Sequence, residues 1–356
     1  MTQKMNISFK KDESVKHPKV AIIILNWNGW EDTIECLESV YQITYPNYEV
    51  IVVDNGSEDE SVEKIKEYAE GKIKVESKFF EYSSENKPIR IIEYTREEAE
   101  AGGGKEKEIA DLPSNRRMII IKNEKNYGFA EGNNIAIRYA LKALDPDYVL
   151  LLNNDTVVDK EFLGELVKIG ERDEKIGAIG PKVYQYNKPK RLQATYSKIS
   201  FGGGRAFVVG QNVIDYGQFN FERETDYVFG EAFLIKSKVI EDVGLFNPNY
   251  FLYWEEIELC IRIKKKGYRL IYCPRARIWH KVGASSKKIT GLRTYYSFRN
   301  CIWTVKKHAS FQQKIIFIPY LFSLIAWSIA SNPTLLRERK VLFSMFRGIK
   351  DGFLQP

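Results

Sequence analysis

VAIIILNWNGW, Val20–Trp30, opens with six consecutive apolar residues and stops at a polar Asn-Trp-Asn-Gly turn. A run so short, continuous and β-branched matches a strand covered on both faces, as in a parallel sheet. Three more runs repeat it: Val50–Val53 (VIVV), Met118–Ile121 (MIII) and Tyr148–Leu152 (YVLLL). Helical patterns follow the first three of these runs, at Asp32–Gln42, Asp59–Glu70 and Phe129–Leu144. Strand–helix–strand repetition predicts a doubly wound α/β domain. The runs end on Asn26-Trp27-Asn28-Gly29, Asp54-Asn55-Gly56-Ser57, Lys122-Asn123 and Asn153-Asn154-Asp155-Thr156. One polar end is an ordinary turn or cap. Several together predict a binding edge, because ligands of parallel sheets sit beyond the carboxyl ends of the strands.

The chain of 356 residues is long enough for one large or two ordinary domains. Hydrophobic residues at 44% and charged residues at 28% exclude a disordered chain. Cys36, Cys260, Cys273 and Cys301 form no CxxC pair and read as reduced thiols of a cytosolic protein. Residues 1–18 lack an apolar core and read as a tail rather than a secretory signal. The NWNGW turn is not the GxGxxG of a dinucleotide site, which excludes a Rossmann dehydrogenase. Gly202-Gly203-Gly204 has no helix pattern after it, which excludes a phosphate loop there.

Outward from the strands, 71–117 reads as a charged insertion with one strand, Pro88–Tyr94, and a mobile, exposed loop around Glu97–Ser114. Ile176–Tyr227 predicts small antiparallel pieces. A strand at Ala232–Ile235, a helix from Ser237, a helix EEIELCIRIKKKG ending on Gly267, and strands at Tyr268–Cys273 and Arg277–His280 complete a domain over 19–286. The rest, 287–356, predicts basic, apolar helices. Between Lys287 and Lys350 stand 12 Lys and Arg against one acid, Glu338, so the basic excess is local. Beside apolar segments it points to an anionic membrane surface and not to nucleic acid. Ile315–Ala330 is 16 residues without charge, interrupted by Pro319 and short of the roughly 18–20 that span a bilayer. Leu335–Ile349 reads as an interfacial amphipathic helix. The expectation is shallow insertion at the cytoplasmic face of the membrane, with burial of Ile315–Ala330 against the catalytic domain or in a homodimer interface as the alternatives.

VVDNGS (Val52–Ser57), NYGFAEGNN (Asn126–Asn134), LLNNDT (Leu151–Thr156), GLFNPNYFLYWEEIELCIR (Gly244–Arg262) and Trp279-His280 resemble, in order and spacing, the motif set of family 2 glycosyltransferases. The likeness is strongest to their rhamnosyltransferase-like branch. It implies a GT-A fold and an inverting enzyme that moves a sugar from a UDP-, dTDP- or GDP-sugar to a hydroxyl of a lipid-linked or cell-envelope glycan. Carried over residue by residue, Leu25, Asn26 and Asn28 line the nucleotide pocket and Asp54 accepts a hydrogen bond from the base. Asn126, Gly128 and Asn133 border ribose and sugar. Asn153-Asn154-Asp155 stands where the family has its DxD motif. Asn153 and Asn154 then belong to the nucleotide-sugar site, and Asp155 ligates Mg2+ or Mn2+. Asn153 departs from the family's more general Asp, which loosens the expected hold on the metal. His280 resembles the family's late metal or diphosphate ligand. Glu256 stands at the catalytic base, one methylene longer than the usual Asp, with Trp254 and Glu255 on the acceptor side. A nucleotidyltransferase and a non-catalytic nucleotide-sugar-binding module are the rival readings, separated by their products.

Overall fold

The computed structural model describes residues 17–281, 291–331 and 339–354. Most of the expected tail 1–18, the expected boundary at 286/287 and the start of the expected amphipathic helix, 335–338, lie outside the described residues.

The first half is β1 Val20–Asn26, α1 Trp30–Val40, β2 Tyr48–Asp54, α2 Ser61–Ala69, β3 Arg90–Thr95, α3 Arg96–Ala101, β4 Arg117–Lys122, α4 Gly128–Tyr139 and β5 Tyr148–Asn153. Strands β5, β1, β2, β4 and β3 lie side by side in that order, all parallel. The continuous apolar runs follow from this placement. Val20, Ile22 and Ile24 enter the core on one face of the sheet, while Ala21 and Ile23 enter the core on the other. Full burial of each Ile or Val contributes about 1.5–3 kcal/mol. The registers set Asn26 opposite Asp54 and Leu25 opposite Asn153, so three polar strand ends are nearly level at one edge. Strand order turns at β1, and the crevice beyond such a turning point is where α/β sheets bind ligands.

The second half is β6 Thr156–Val158, α5 Phe162–Gly170, β7 Ile176–Gln185, β8 Lys188–Ala194, β9 Ser197–Ser200, β10 Arg205–Val208, β11 Arg223–Glu224, β12 Ala232–Lys236, α6 Ser237–Val243, α7 Glu255–Lys265 and β13 Arg269–His280. β12 runs antiparallel between β5 and β7, and β13 continues the sheet parallel to β7. The predicted small antiparallel pieces therefore include one long member of the main sheet, the ten-residue β7. The two strands predicted over 268–280 are one twelve-residue strand with a register shift between Cys273 and Arg277. Pro274 sits in that shift, where its missing N–H removes no ladder bond. The last three residues of β13 pair antiparallel with β6, His280 opposite Thr156. This pairing carries His280 to the end of β5.

The predicted mobile loop at 97–114 is folded. Thr95 and Glu98 cap α3 reciprocally, and Gly102 closes it at φ 107°. Glu106 accepts the hydroxyls of Tyr94 and Tyr139, each at 2.8 Å. Ala99 and Ile109 join the core shared by β3, β4 and α4. The charge-rich composition concealed a capped turn whose few apolar residues point inward.

Among the described residues, three helices follow β13: α8 Leu292–His308, α9 Phe311–Ser331 and α10 Arg339–Leu354. Residues 299–305 of α8 are all buried. Cys301, Ile302 and Val305 form a third apolar cluster with Phe317 and Leu321 of α9. α10 lies so close along α8 that a Cβ at Gly348 would stand 2.5 Å from the Tyr295 carbonyl, and one at Gly352 2.9 Å from Ile302. Among the described residues no helix is long and apolar enough to cross a membrane.

Candidate active site

At the ends of β1 and β2, the buried side chains of Asn26 and Asp54 tie two loops together. Asn26 donates through Nδ2 to Asp54 Oδ1 at 3.0 Å and to Ser57 Oγ at 3.1 Å. Asp54 Oδ2 accepts the Ser57 N–H at 3.1 Å. Ser57 Oγ also accepts the Asn28 N–H at 2.9 Å, and Asn28 Oδ1 accepts the Glu58 N–H at 2.8 Å. Asn26, Asn28 and Asp54 thus come together as predicted neighbours. Each Asp54 oxygen keeps a further lone pair for an incoming donor. Leu25 packs instead against α4, where a Cβ at Gly132 would come within 2.8 Å of it.

Asn55 carries no predicted role, yet its amide makes four hydrogen bonds. It donates to Asn126 Oδ1 at 3.0 Å and the Gly128 carbonyl at 3.1 Å, and accepts from Asn123 Nδ2 at 3.0 Å and the Tyr127 N–H at 3.2 Å. This fixes the turn from β4 into α4. Gly128 has φ 77°, and a Cβ there would stand 2.5 Å from the Phe251 ring. The Phe129 N–H donates to the Phe251 carbonyl at 2.7 Å. Asn126 and Gly128 therefore stand where β2, α4 and the segment around Phe251 meet. Asn133 is buried in α4 and donates to the Phe129 carbonyl at 2.8 Å. Its neighbour Asn134 makes the long-range tie, to both backbone groups of Phe246.

At the end of β5, Asn154 turns back to α1 and donates to Thr33 Oγ1 at 3.0 Å. Asn153 is half-buried, and its N–H donates to the Glu231 carbonyl at 3.0 Å. Asp155 and His280 meet directly, Oδ1 to Nε2 at 3.0 Å, both buried. Behind the ring, Gln193 Nε2 lies 2.7 Å from Nδ1 and 3.0 Å from Glu231 Oε1. Burial opposes a charge on His280, but the carboxylates of Asp155 and Glu231 outweigh it and raise the ring above its ordinary value. A carboxylate oxygen beside an imidazole nitrogen is a donor set that suits Mn2+, and Mg2+ through the carboxylate. Among the described residues no group of three or more His, Cys, Asp or Glu could hold a metal alone. The pair fits a cation that completes its shell with donor phosphates and water, as Mg2+ commonly does.

The segment before α7 is strained. Phe251, Tyr253 and Trp254 have φ of 61°, 66° and 73°, a region side chains rarely adopt. Phe251 centres a γ-turn closed by the Leu252 N–H on the Tyr250 carbonyl at 2.6 Å. α8 holds this backbone from outside. Asn300 Nδ2 lies 2.9, 2.9 and 2.7 Å from the carbonyls of Tyr250, Leu252 and Tyr253. Arg299 donates to the carbonyls of Asn249 at 2.6 Å and Tyr250 at 3.1 Å. Trp254, the last strained residue, packs between the second and third apolar clusters.

This segment delivers Glu255 and Glu256 to the first turn of α7. One oxygen of each, Oε2, finds no hydrogen-bond partner among the described residues. Burial pushes the Glu256 carboxyl up to about 7, and the charge of Glu231 adds to the rise. Burial and the charge of Glu256 hold Glu255 well above the usual carboxylate range. Glu258 is the reverse case. Against the cost of its burial, His308, Arg262 and Lys307 draw it down to about 2. His308 and Lys307, 3.0 and 2.7 Å away, fasten α7 to α8, while Arg262, 2.8 Å away, is one turn further along α7 itself.

Three predicted groups therefore share one edge: the Asn26–Asp54 knot, the Asp155–His280 pair and Glu256. Glu231 acts electrically on both of the last two. It was missed, although an acid just before the apolar strand AFLI is a visible signal. Asn55 was given no role although it stands in the polar end of β2, and Gln193, Arg299 and Asn300 were missed with no comparable signal.

The family description "Glycosyl transferase family 2" matches residues 21–87, and "Glycosyltransferase like family 2" matches residues 106–298. The chain belongs to glycosyltransferase family 2. A relative from Haloferax volcanii, the low-salt glycan biosynthesis hexosyltransferase Agl10, is 26% identical over 257 residues, 70% of this chain and 81% of its own. The N-acetylglucosaminyl-diphospho-decaprenol L-rhamnosyltransferase of Mycobacterium tuberculosis is 26% identical over 180 residues, 47% of this chain and 59% of its own. The solved mannosyltransferase PcManGT of Pyrobaculum calidifontis, in complex with GDP-Man and Mn2+, matches with a TM-score of 0.54 at 14% identity. That match covers 96% of this chain and 87% of the other, and it shows the predicted GT-A fold.

Proposed function

We propose that this glycosyltransferase is inverting, and that it moves a hexose from a nucleoside-diphosphate sugar to a hydroxyl of a lipid-linked or cell-envelope glycan. The observation that carries the reading is Glu256. It is a carboxylate with an unpartnered oxygen and a raised proton affinity, in electrical reach of Glu231, which also acts on His280. A base tuned near 7 matches deprotonation of an alcohol at neutral pH. Glu256 accepts the acceptor hydroxyl's proton as its oxygen bonds to the anomeric carbon. Attack comes from the face opposite the diphosphate, and the sugar–diphosphate bond breaks with its electron pair leaving on the diphosphate. Asn26, Asn28 and Asp54 hold the nucleoside. Asp155 and His280 would hold Mg2+ or Mn2+, which when bound neutralises charge on the departing diphosphate. Rhamnose from dTDP-rhamnose leads the candidate donors, in line with the name of the Mycobacterium relative.

The test is a panel of UDP-, dTDP- and GDP-sugars in thermal shift, with and without Mn2+, followed by mass analysis of products. Sugar transfer with release of nucleoside diphosphate is the expected result. Transfer of the nucleotide itself would make the chain a nucleotidyltransferase. Donor binding with neither transfer nor hydrolysis would make it a binding module.

A further inference from the structure

Ten of the fifteen exposed large hydrophobic residues among the described residues belong to α9 and α10. On α9, Phe311, Ile315, Ile318 and Phe322 are exposed at steps of four, three and four, one face of a helix. Ile316 and Trp327 are exposed as well, roughly 140° round the helix from that stripe, so the uncovered apolar surface is broad. Phe317 and Leu321, on the other side, are buried against α8. From Ile315 to Ser331 the helix carries no charge. On α10, Phe343, Phe346, Phe353 and Leu354 are exposed, while Met345, Gly348 and Gly352 are buried. Arg347 and Lys350 are exposed among those aromatics, one turn from Phe343 and Phe346 respectively.

Charge decides what covers such a face. A second copy of the chain would bring the same cationic rim, Arg339, Lys340, Arg347 and Lys350, against itself across a two-fold interface. Anionic headgroups would neutralise that rim, while Phe and Trp side chains enter the headgroup–acyl boundary. We propose that the exposed face of α9 and α10 docks flat on an anionic bilayer surface. α8 makes this docking part of the active site. It packs against α10 through Tyr295 and Ile302, and it holds the strained segment before Glu256 through Arg299 and Asn300. The segment that serves the acceptor is thus mounted on the docking element, and the acceptor class it suits is one anchored in lipid. The acceptor clause rests on the glycosyl-transfer reading; the docking does not.

The full chain is floated with vesicles of phosphatidylcholine alone and of phosphatidylcholine mixed with phosphatidylglycerol. It should float with the anionic vesicles and less at high salt. Phe343→Glu/Phe346→Glu and Lys340→Glu/Arg347→Glu alter only exposed positions, so folding should survive, and each should lower partitioning about tenfold or more. Amide hydrogen exchange across 249–256 should slow when anionic vesicles are added. A protein that stays in solution with both vesicles, or floats equally with neutral ones, overturns the proposal. So does a dimer that Phe343→Glu/Phe346→Glu dissolves. Unchanged exchange in a floating protein overturns the link to the active site. Calorimetry of UDP, dTDP and GDP on the same preparations reports separately on the donor reading, because neither variant touches the strand-end site.

Discussion

Nε2 of Gln193 lies 2.7 Å from Nδ1 of His280, on the side of the ring away from Asp155. The same amide nitrogen lies 3.0 Å from Glu231 Oε1. With Nδ1 accepting from the amide, Nε2 of the neutral ring is the N–H that donates to Asp155. A cation held through Nε2 would take that nitrogen's lone pair, leaving the ring proton on Nδ1 and in need of an acceptor there. Gln193 Oε1 is buried without a partner among the described residues; turning the amide over would offer it as that acceptor, with Glu231 Oε1 then carrying a proton to face it.

Gln193→Ala should therefore cut the gain in nucleoside-diphosphate affinity that Mn2+ confers by about 10-fold or more, with metal-free affinity unchanged. Gln193→Glu keeps an acceptor for Nδ1–H and should retain most of the gain. Asp155→Asn should abolish it. Calorimetry with and without Mn2+ checks all three, and equal gains in wild type and Gln193→Ala would remove Gln193 from the site.

Glu256→Gln keeps the shape of the side chain and removes its basicity. Turnover should fall about 10²-fold or more with donor affinity nearly unchanged. Because burial lifts Glu256 to about 7, a wild type that uses it as base should lose activity as it is protonated below that value. Its kcat/KM should rise with pH through about 7 and then level. A flat profile from pH about 5 to about 8 would separate Glu256 from proton transfer.

The same shift makes a stability prediction. Glu256 titrates at about 7 in the folded chain, against about 4.3 when unfolded. Between those values the folded state binds more protons, so stability declines as pH rises through that window. Glu256→Gln should raise Tm relative to wild type more at about pH 8 than at about pH 4. Glu258, held at about 2, works the other way: it stabilises above the unfolded value and the contribution is lost as pH falls toward about 2. Thermal melts across pH on Glu256→Gln and Glu258→Gln separate the two.

The parallel first half was legible because burial on both faces writes an uninterrupted apolar run, and because Asn26, Asp54 and Asn153 end neighbouring strands. The charged segment after Thr95 misled, since a reciprocal cap is made by two residues while composition averages over twenty. The meeting of Asp155 with His280 depends on the β6–β13 register, which no local pattern encodes. Gln193 and Asn300 act across 87 and 47 residues on groups whose placement only the fold determines. In α9 the apolar run was plain, but which side is covered follows from packing of Phe317 and Leu321 on α8. α8 itself lies beyond the expected domain boundary, yet it braces the strained segment that leads into Glu256.

That brace gives the last prediction. Asn300 is fully buried and donates to three carbonyls of a segment with three left-handed side-chain residues. Asn300→Ala removes the side-chain donor of the Leu252 and Tyr253 carbonyls, while the Tyr250 carbonyl keeps Arg299 and the Leu252 N–H, at a cost of ~1–3 kcal/mol in unfolding free energy. Asn300→Asp replaces the donor by an acceptor facing the same oxygens and should cost at least as much. The strain at Phe251, Tyr253 and Trp254 then relaxes by moving the backbone that carries Glu256, so turnover should fall further than donor affinity. Ile302→Val is the control, since it weakens the same helix by about 0.5–1.5 kcal/mol without touching the segment. Denaturant melts set the stability of each variant, and initial rates with calorimetric donor affinities are then compared. If Asn300→Ala loses no more turnover than Ile302→Val does per unit of lost stability, Asn300 only holds α8 in place. A selective fall in turnover would show that the position of the base is set from the C-terminal helix.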